Sequence, residues 1–377
     1  MTTTPLNPAF TPQGNHPATP LLQGIDYIEL YVGNAQQAAH FYRTSFGFTL
    51  TAYAGPETGV RDWVSYVVEQ GSIRLVFTSA IDGDHPIAQH VALHGDGVKD
   101  VAFNVTNTEQ IFQLVVSAGA KTVAEPTTIE EERGQVQRAT IAAFGDTVHS
   151  FIQRDAYEGT FLPKYHKITQ QLPVTPVGFS EIDHVAICLE AGTLDQWAEF
   201  YRNALGFYQL HEENIETEHS AMNSKAVADS SGRIKFPMQE PAPNKSKNKS
   251  QIEEYLSSHS GPGVQHIAVL TENIVESIRA LRSNGIDFRK TPGAYYDMLP
   301  ERVGAIKEDL EALRELNILV DRDEWGYLLQ IFAKPVQSRP TLFAEIIQRD
   351  GARGFGSGNI KALFQSIERE QMLRNSL

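Results

Sequence analysis

One stretch near the middle of the chain decides the fold: Glu181-Ile182-Asp183-His184-Val185-Ala186-Ile187-Cys188-Leu189-Glu190. Its run of apolar residues predicts a buried strand that carries one histidine. A similar stretch lies near the N-terminus: Gly24-Ile25-Asp26-Tyr27-Ile28-Glu29-Leu30-Tyr31-Val32. The chain therefore contains a repeat, and Tyr27 of the first copy stands where the second copy has His184.

The repeat continues beyond these two strands, and such internal similarity determines the architecture. Each copy leads into an amphipathic helix, a second strand, a second helix and further strands, which predicts two strand–helix–strands modules in each half and an α+β fold. Matching words in the two halves are Phe41-Tyr42-Arg43 and Phe200-Tyr201-Arg202, Gly97-Val98-Lys99-Asp100-Val101-Ala102 and Gly263-Val264-Gln265-His266-Ile267-Ala268, and Ile152-Gln153-Arg154-Asp155 and Ile347-Gln348-Arg349-Asp350.

Capping patterns support these helices, since each has a capping residue followed three positions later by Gln or Glu. The pairs are Asn34 with Gln37, Thr193 with Gln196, and Asn273 with Glu276.

A chain of 377 residues is too long for one ordinary core, which predicts two domains. We predict a loose tail over 1–20, an N-terminal domain over 21–157, a proline-containing linker over 158–178 and a C-terminal domain over 179–377. A final helix from about Asn359 to Leu373 has no counterpart in the first half, and its apolar residues Ile360, Leu363, Phe364 and Ile367 fall on one face.

Composition narrows the range of partners. The net charge of −14 argues against nucleic acid or an anionic membrane as a partner, and no apolar run approaches the ~20 residues that span a bilayer. The single cysteine, Cys188, fits a reducing compartment. We expect a cytoplasmic protein that forms a homo-oligomer, a dimer or a tetramer, through exposed faces of its first half.

At three equivalent strand positions, the two halves carry different types of residue. They carry Tyr27, Asp100 and Ser150 in the first half, and His184, His266 and Glu345 in the second. Two histidines and one carboxylate that converge from three strands are the ligand set of a facial non-haem Fe(II) site, which leaves positions open for substrate and O₂. The sequence predicts this site in the second half and a metal-free first half.

Other interpretations exist for the same residues. A single strand histidine is commonly a hydrogen-bonded core residue, and the Glu345 carboxylate could pair with Arg349 instead of a metal. The simultaneous change at three equivalent positions favours the metal site. The pair Asp146 and His149 lies beside a turn and has no equivalent partners, so we predict that it is on the surface.

Several short motifs of the second half carry a family resemblance. They are Ile182-Asp183-His184, Lys249-Ser250-Gln251-Ile252, Gly263-Val264-Gln265-His266, Gly326-Tyr327-Leu328-Leu329-Gln330-Ile331-Phe332, Arg339-Pro340-Thr341 and Gly354-Phe355-Gly356. With these motifs the second half resembles 4-hydroxyphenylpyruvate dioxygenases of the vicinal-oxygen-chelate superfamily. The resemblance implies two tandem vicinal-oxygen-chelate (glyoxalase/bleomycin-resistance-like) domains, each built of paired βαβββ modules that form an open barrel.

The resemblance also implies an activity: Fe(II) held by His184, His266 and Glu345, and conversion of 4-hydroxyphenylpyruvate and O₂ to homogentisate and CO₂ in tyrosine catabolism. Amide side chains would hold the substrate without adding a titrating charge, two phenylalanines would flank its ring, and the final helix would be a lid. The implied substrate residues are Ser224, Pro237, Gln239, Gln251, Gln265, Gln330, Phe332, Phe343, Phe355, Asn359 and Ile360.

A sister family, the 4-hydroxymandelate synthases, oxidises the benzylic carbon of the same substrate. Ile360 resembles that branch, because the homogentisate-forming enzymes usually have Phe there. Pro237 resembles the homogentisate branch, whereas Gln239 matches neither branch but can hydrogen-bond a phenol. We favour the homogentisate branch and keep 4-hydroxymandelate formation as the alternative.

A third interpretation is a non-catalytic binding module with a structural metal. Structural sites fill their coordination sphere with protein ligands, and only three candidate ligands are found here.

Cys188 lies four residues after His184, so strand alternation puts both on one face. We interpret Cys188 as a small buried apolar residue rather than a neighbour of the metal.

Overall fold

The computed structural model describes residues 21–169, 173–217, 220–243, 250–363 and 367. The predicted tail over 1–20 lies outside this range, as do Lys249 and most of the last part of the predicted final helix. Residues 357–363 and residue 367 are helical, in agreement with the start of that helix.

The first half follows the predicted order of modules. Its elements are β1 (Leu22–Tyr31), α1 (Ala35–Phe46), β2 (Thr49–Ala54), β3 (Trp63–Gln70), β4 (Ile73–Ala80), α2 (Pro86–His94), β5 (Gly97–Val105), α3 (Thr108–Ser117), β6 (Thr122–Glu131), β7 (Gly134–Ala142), β8 (Val148–Gln153) and β9 (His166–Lys167).

The second half repeats this order and adds three short helices before its last strands. Its elements are β10 (Phe179–Cys188), α4 (Leu194–Leu205), β11 (Tyr208–Glu216), β12 (Ala221–Ala228), β13 (Lys235–Pro241), α5 (Gln251–His259), β14 (Gly263–Thr271), α6 (Ile274–Ser283), α7 (Gly293–Asp297), α8 (Leu299–Val303), α9 (Leu310–Leu316), β15 (Leu319–Arg322), β16 (Tyr327–Phe332) and β17 (Phe343–Asp350).

The strands form one mixed sheet in each half of the described chain. The orders are β6-β7-β8-β5-β1-β4-β3-β2-β9 and β11-β12-β13-β10-β14-β17-β16-β15. In both sheets the first strands of the two modules pair antiparallel at the centre, β1 with β5 and β10 with β14. The last strand of each module pairs parallel beside them, as β17 does with β14. The predicted α+β fold of paired βαβββ modules is confirmed.

Two of the three predicted helix caps are present. Asn34 Oδ1 accepts a hydrogen bond from the backbone nitrogen of Gln37 at 3.0 Å, and Asn273 caps α6 in the same way. The prediction for Thr193 is wrong, because its hydroxyl donates to the backbone oxygen of Glu190. The start of α4 is capped instead by Glu240, whose Oε2 accepts from three consecutive backbone nitrogens at 2.7–3.0 Å. A carboxylate is favourable there because it faces the positive end of the helix dipole.

The apolar sides of the two sheets contribute to one core that spans both halves. His149 lies in it and is fully buried, so the prediction that it is on the surface is wrong. Its Nδ1 contacts the backbone oxygen of Val101 and its Nε2 contacts the hydroxyl of Tyr201 from α4, both at 2.9 Å. Helix α4 of the second half covers this histidine, and sequence adjacency to a turn carries no information about that packing.

The boundary between the halves contains one additional element. Strand β9 lies within residues 158–178 and pairs with β2 of the first sheet. The limits proposed for the tail, the two domains and the linker stay predictions. Among the described residues, no helix is long and apolar enough to cross a membrane.

Candidate metal centre

The three predicted ligands meet on one face of the second sheet. His184 lies on β10, His266 on β14 and Glu345 on β17, and β14 is the middle strand of the three. Ala268 of β14 is the register partner of both His184 and Glu345, and His266 precedes it by two residues on the same face. Glu345 Oε2 lies 3.3 Å from Nε2 of His184 and 3.2 Å from Nε2 of His266.

Acceptors on the far side of each ring determine its tautomer. Nδ1 of His184 lies 2.7 Å from Oδ1 of Asp183. Nδ1 of His266 lies 3.1 Å from Oε1 of Gln265, an oxygen that also accepts from Gln239 Nε2 at 2.8 Å. Each Nδ1 therefore carries the hydrogen, and each Nε2 directs its lone pair at the Glu345 carboxylate. Such support behind a ligand is typical of metal-binding histidines.

This arrangement fits a metal cation. All three ligand residues are buried, and Glu345 is 1% exposed. Burial opposes ionisation of the carboxyl, but His184 and His266, when protonated, outweigh it by their charge and hydrogen bonds and lower the pKa of Glu345 to about 2. A metal ion on the same two ring nitrogens would supply that positive charge instead. Two nitrogen lone pairs and a carboxylate within 4.8 Å of one another repel unless a cation lies between them.

The alternative ion pair between Glu345 and Arg349 is not formed in the described structure, because Arg349 binds Asp183. Its Nε and Nη2 lie 2.7 and 2.8 Å from the two Asp183 oxygens. Burial opposes the charge, but Arg349 and the hydrogen bond from His184 hold the pKa of Asp183 well below its usual range. Asp183 thus stays an acceptor for the ligand histidine.

The Asp183–Arg349 pair was not predicted, although the repeat contains a signal for it. Asp26 and Arg154 occupy the equivalent positions in the first half and form the same contact, with Arg154 Nε 2.9 Å from Asp26 Oδ2. A charged pair preserved in both copies indicates a contact required by the fold. The second half adds a histidine to that contact.

A chain of hydrogen bonds supports the Glu345 carboxylate from the other side. Gln330 Nε2 donates to Glu345 Oε1 at 3.2 Å, and Asn359 Nδ2 donates to Gln330 Oε1 at 3.2 Å. The hydroxyl of Tyr295 lies 2.6 Å from Asn359 Oδ1. Gly356 makes room for this chain, because a Cβ there would lie 2.4 Å from Gln330 Oε1. The predicted residues Gln330 and Asn359 therefore lie beside the ligands.

Aromatic rings enclose the ligand histidines. Phe343 stacks on His266 with centroids 5.0 Å apart, and Phe332 approaches His266 edge-on at 6.1 Å. Phe355 approaches His184 edge-on at 5.2 Å. All three phenylalanines are buried. Three buried rings therefore border the ligand histidines.

The remaining predicted polar residues lie on neighbouring strands. Gln239 is buried and hydrogen-bonds Gln265, and Ser224 is its register partner on β12. Pro237 precedes Gln239 by two residues and so projects to the same face of β13. Gln251 begins α5, and its Oε1 is buried without a hydrogen-bond partner among the described residues. An acceptor in this state is available to a ligand that donates a hydrogen bond.

Ile360 and Cys188 belong to one apolar cluster, which also contains Met222, Ile252 and Tyr255. Burial raises the pKa of the Cys188 thiol well above its usual value, so the thiol stays protonated. Cys188 therefore behaves as a small buried apolar residue, as expected.

In the first half, the region that corresponds to the metal centre contains the positively charged side chain of an arginine. Arg138 corresponds to Gln330 by strand register. Arg138 pairs with Ile152, two residues after Ser150. Gln330 pairs with Ile347, two residues after Glu345. Arg138 Nη2 lies 3.1 Å from Ser150 Oγ and 3.4 Å from Asp100 Oδ2. The guanidinium supplies the positive charge that faces the buried Asp100 carboxyl.

Comparison with known proteins agrees with this geometry. The family model described as the glyoxalase/bleomycin resistance protein/dioxygenase superfamily matches residues 24–148 and 181–331, once in each half. The chain is 42% identical to 4-hydroxyphenylpyruvate dioxygenase of Yarrowia lipolytica over 99% of this chain and 98% of that protein. It is 43% identical to the protein of the same name from Dictyostelium discoideum, over 94% of this chain and all of that one.

A solved structure is similar over the same extent. A triple mutant of 4-hydroxymandelate synthase from Streptomyces coelicolor has a TM-score of 0.84 and 42% identity to this chain, and the match covers 94% of this chain and 100% of that one. The repeated domains, the full-length identity and the shared fold lead to one conclusion. The chain belongs to the glyoxalase/bleomycin resistance protein/dioxygenase superfamily and, within it, to the family of 4-hydroxyphenylpyruvate dioxygenases.

Proposed function

We propose that the protein is an Fe(II)-dependent 4-hydroxyphenylpyruvate dioxygenase that converts 4-hydroxyphenylpyruvate and O₂ to homogentisate and CO₂. The observation that carries the proposal is the convergence of His184, His266 and Glu345, whose ligand atoms lie within 4.8 Å of one another. Relatives named for this activity align with nearly the whole chain. The reaction balances, because both atoms of O₂ appear in the products.

The three ligands are the donor set that suits ferrous iron. When bound, the ion supplies O₂ chemistry and open coordination positions for the two oxygens of a 2-oxo acid. Because the substrate is itself a 2-oxo acid, no second oxo acid is required. Asp183 and Gln265 keep both Nε2 atoms free of hydrogen, so the ligand histidines are ready to bind.

Neutral amides provide the polar part of the proposed substrate pocket. Gln330 and Asn359 form a chain that ends on Glu345, and Gln239 and Gln265 form another that ends on His266. Amides can donate to or accept from a phenol or a carboxylate without a charge that would compete with the metal. We propose that Ser224, Pro237 and Gln251 complete this polar side.

Phenylalanine rings provide the apolar part. Phe343 and Phe332 lie beside His266, and Phe355 lies beside His184. We propose that these rings flank the aromatic ring of the substrate and keep water from the reaction. The helix that begins near Asn359 would close the pocket as a lid.

A second candidate activity is formation of 4-hydroxymandelate from the same substrate. Ile360 lies in the apolar cluster with Met222 and Ile252, where a larger ring would restrict the substrate more. The similar solved structure carries the name of that synthase. The two activities differ only in the carbon that is oxidised, so the aromatic product distinguishes them.

The test is O₂ uptake by the purified chain with 4-hydroxyphenylpyruvate, with and without Fe(II), and NMR of the product. We expect iron-dependent uptake and the ring-proton pattern of homogentisate. Glu345→Ala should abolish uptake, whereas Ser150→Ala, at the equivalent position of the first half, should retain it. Unchanged uptake in Glu345→Ala would contradict the site assignment, and an intact para-substituted ring would favour the mandelate activity.

We further propose a cytoplasmic location, where the single thiol of Cys188 stays reduced.

We also propose that the chain forms a dimer or a tetramer. The support for this assembly is an exposed surface of the first half. Strand β6 is an edge strand and is almost wholly exposed. Large exposed apolar side chains lie there and nearby, at Leu114, Val123 and Ile129. Light scattering of the purified chain measures the assembly.

A further inference from the structure

A second group of metal-ligand residues lies in the first half, which was predicted to be metal-free, and is separate from the site described above. His90 and His94 are one turn apart on α2, so both project from one face of the helix. Asp146 reaches them from the turn between β7 and β8. One ligand atom of each of the three residues lies within 4.8 Å of the others.

The hydrogen bonds of His94 leave a lone pair opposite a carboxylate. Nδ1 of His94 lies 2.6 Å from the backbone oxygen of His259, an atom that can only accept. Nδ1 therefore carries the hydrogen, and Nε2 directs its lone pair at Asp146 Oδ2, 2.9 Å away. Two acceptors at this distance require a cation between them, which is either a proton on Nε2 or a metal ion.

The state of His90 favours a metal ion over a proton between His94 and Asp146. Its Nε2 is buried and has no hydrogen-bond partner among the described residues. The His90 ring lies against that of His94, with centroids 4.4 Å apart. A proton between His94 and Asp146 would leave the His90 nitrogen unsatisfied. A metal ion would bind all three groups at once.

We propose that His90, His94 and Asp146 bind one divalent transition-metal ion of the Zn(II) class. Two imidazoles one helical turn apart with one carboxylate form a ligand set for such an ion. The carbonyl behind His94 gives the support that ligating histidines usually have. Lys99 donates to the backbone oxygen of Asp146, so its bond holds the turn and leaves the carboxylate oxygens to the metal.

The position of this site suggests a structural role at the contact between the halves. The His94 ring stacks on that of His259 from α5, with centroids 4.6 Å apart. Arg339 of the second half donates to the backbone oxygens of Leu93 and Ala92, at 2.6 and 3.1 Å. An ion on His94 would hold the end of α2, the β7–β8 turn and this contact together.

The first test counts metal ions on the full chain. The protein is stripped with a chelator, loaded with Zn(II) alone and passed through a desalting column, and zinc per chain is measured by mass spectrometry. We expect two equivalents for the wild type and one for His90→Gln, Asp146→Asn or Glu345→Ala. His166→Gln, which removes an exposed histidine on β9, should keep two.

A second measurement separates binding from folding defects. Zn(II) should raise the melting temperature of Glu345→Ala by several degrees but not that of Glu345→Ala combined with His90→Gln. His90→Gln alone should retain Fe(II)-dependent O₂ uptake, because it lies outside the catalytic ligand set. One equivalent in the wild type, two equivalents in His90→Gln, or loss of one in His166→Gln would each overturn the proposal.

Discussion

Arg349 donates to both carboxylate oxygens of Asp183, at 2.7 and 2.8 Å, and Asp183 in turn accepts from the ligand histidine His184 at 2.7 Å. The same acid–arginine pair in the first half, Asp26 with Arg154, has Tyr27 in place of the histidine. A contact that stabilises the sheet in both halves thus also orients a metal ligand in the second.

This relationship predicts that Asp183→Asn weakens metal binding. The amide can present its NH₂ group to Nδ1 of His184, which destabilises the tautomer that binds metal. Loss of such support typically lowers metal affinity by about 10–100-fold. Titration of the metal-free protein with Fe(II), followed by O₂ uptake at saturating iron, measures the affinity and the activity separately.

The repeat provides the matched control for this variant. Asp26→Asn breaks the equivalent buried pair of the first half. Both variants should therefore lower the free energy of unfolding, each by ~3–5 kcal/mol, the cost of removing one partner of a buried ion pair. The metal affinity of Asp26→Asn should equal that of the wild type. Equal loss of affinity in both variants would mean that Asp183 acts only through stability.

Gly356→Ala should reduce activity by displacing Gln330. The glycine has φ +75° and its added Cβ would lie 2.4 Å from Gln330 Oε1, so the hydrogen bonds to Glu345 and Asn359 would be disturbed. Gly304→Ala is the control, because it has φ +68° and no neighbour within 4 Å of the added Cβ in the described structure. Both variants should lose stability, because a positive φ disfavours an alanine side chain.

Activity then separates the two glycine variants. We expect kcat/KM to fall about tenfold or more in Gly356→Ala, since misplacement by about 1 Å near the reacting groups has such effects. Gly304→Ala should keep wild-type kcat/KM at temperatures where both are folded. Equal kinetics would show that Gln330 is not needed to position Glu345 or the substrate.

Ile360→Phe should increase the fraction of consumed substrate that is recovered as homogentisate. Ile360 packs in the apolar cluster with Cys188 and Met222, and a ring at this position would restrict how the substrate lies. The larger side chain should also cost about 1–3 kcal/mol of stability. Leu256→Phe, which overfills the same cluster from α5, should lower stability without changing the product. An unchanged product yield in Ile360→Phe would contradict a steering role.

His149 should make stability depend on pH in acid. Burial lowers its pKa from 6.5 to about 4, so the folded protein binds this proton less readily than the unfolded chain. The stabilisation is therefore complete above pH 6.5 and is lost as the pH falls through about 4, by about 3 kcal/mol in total. Urea unfolding between pH 7 and pH 4 measures this loss.

His149→Gln retains the ability to hydrogen-bond Val101 and Tyr201 but does not titrate. Its free energy of unfolding should fall less than that of the wild type over the same pH range. His166→Gln, at an exposed position, should follow the wild-type curve. A parallel decline in all three proteins would assign the acid sensitivity to other groups.

Much of the fold could be predicted because the chain is a duplication. Four copies of one strand–helix–strands pattern define the modules, and the differences between copies select His184, His266 and Glu345 from all other polar residues. Side-chain periodicity and caps are local properties of the backbone, so α1 and α6 were predicted with their caps.

The errors concern contacts between residues distant in sequence. Glu240 caps α4 from β13, and His149 is buried by α4. The pair of Arg349 with Asp183, which was not predicted, is a contact of the same kind. Each partner lies more than 40 residues away, and a sequence pattern within one element carries no information on which distant group will reach it.

The sequence by itself determined the duplicated α+β architecture and the three candidate ligands, because repeat symmetry relates positions without any knowledge of packing. Only the tertiary structure decided which groups stand behind those ligands, how Arg138 fills the equivalent place in the first half, and that His90, His94 and Asp146 meet. Those outcomes depend on strand register and on the packing of one half against the other, where a shift of a few ångströms decides whether two polar atoms share a hydrogen, share a cation or stay apart.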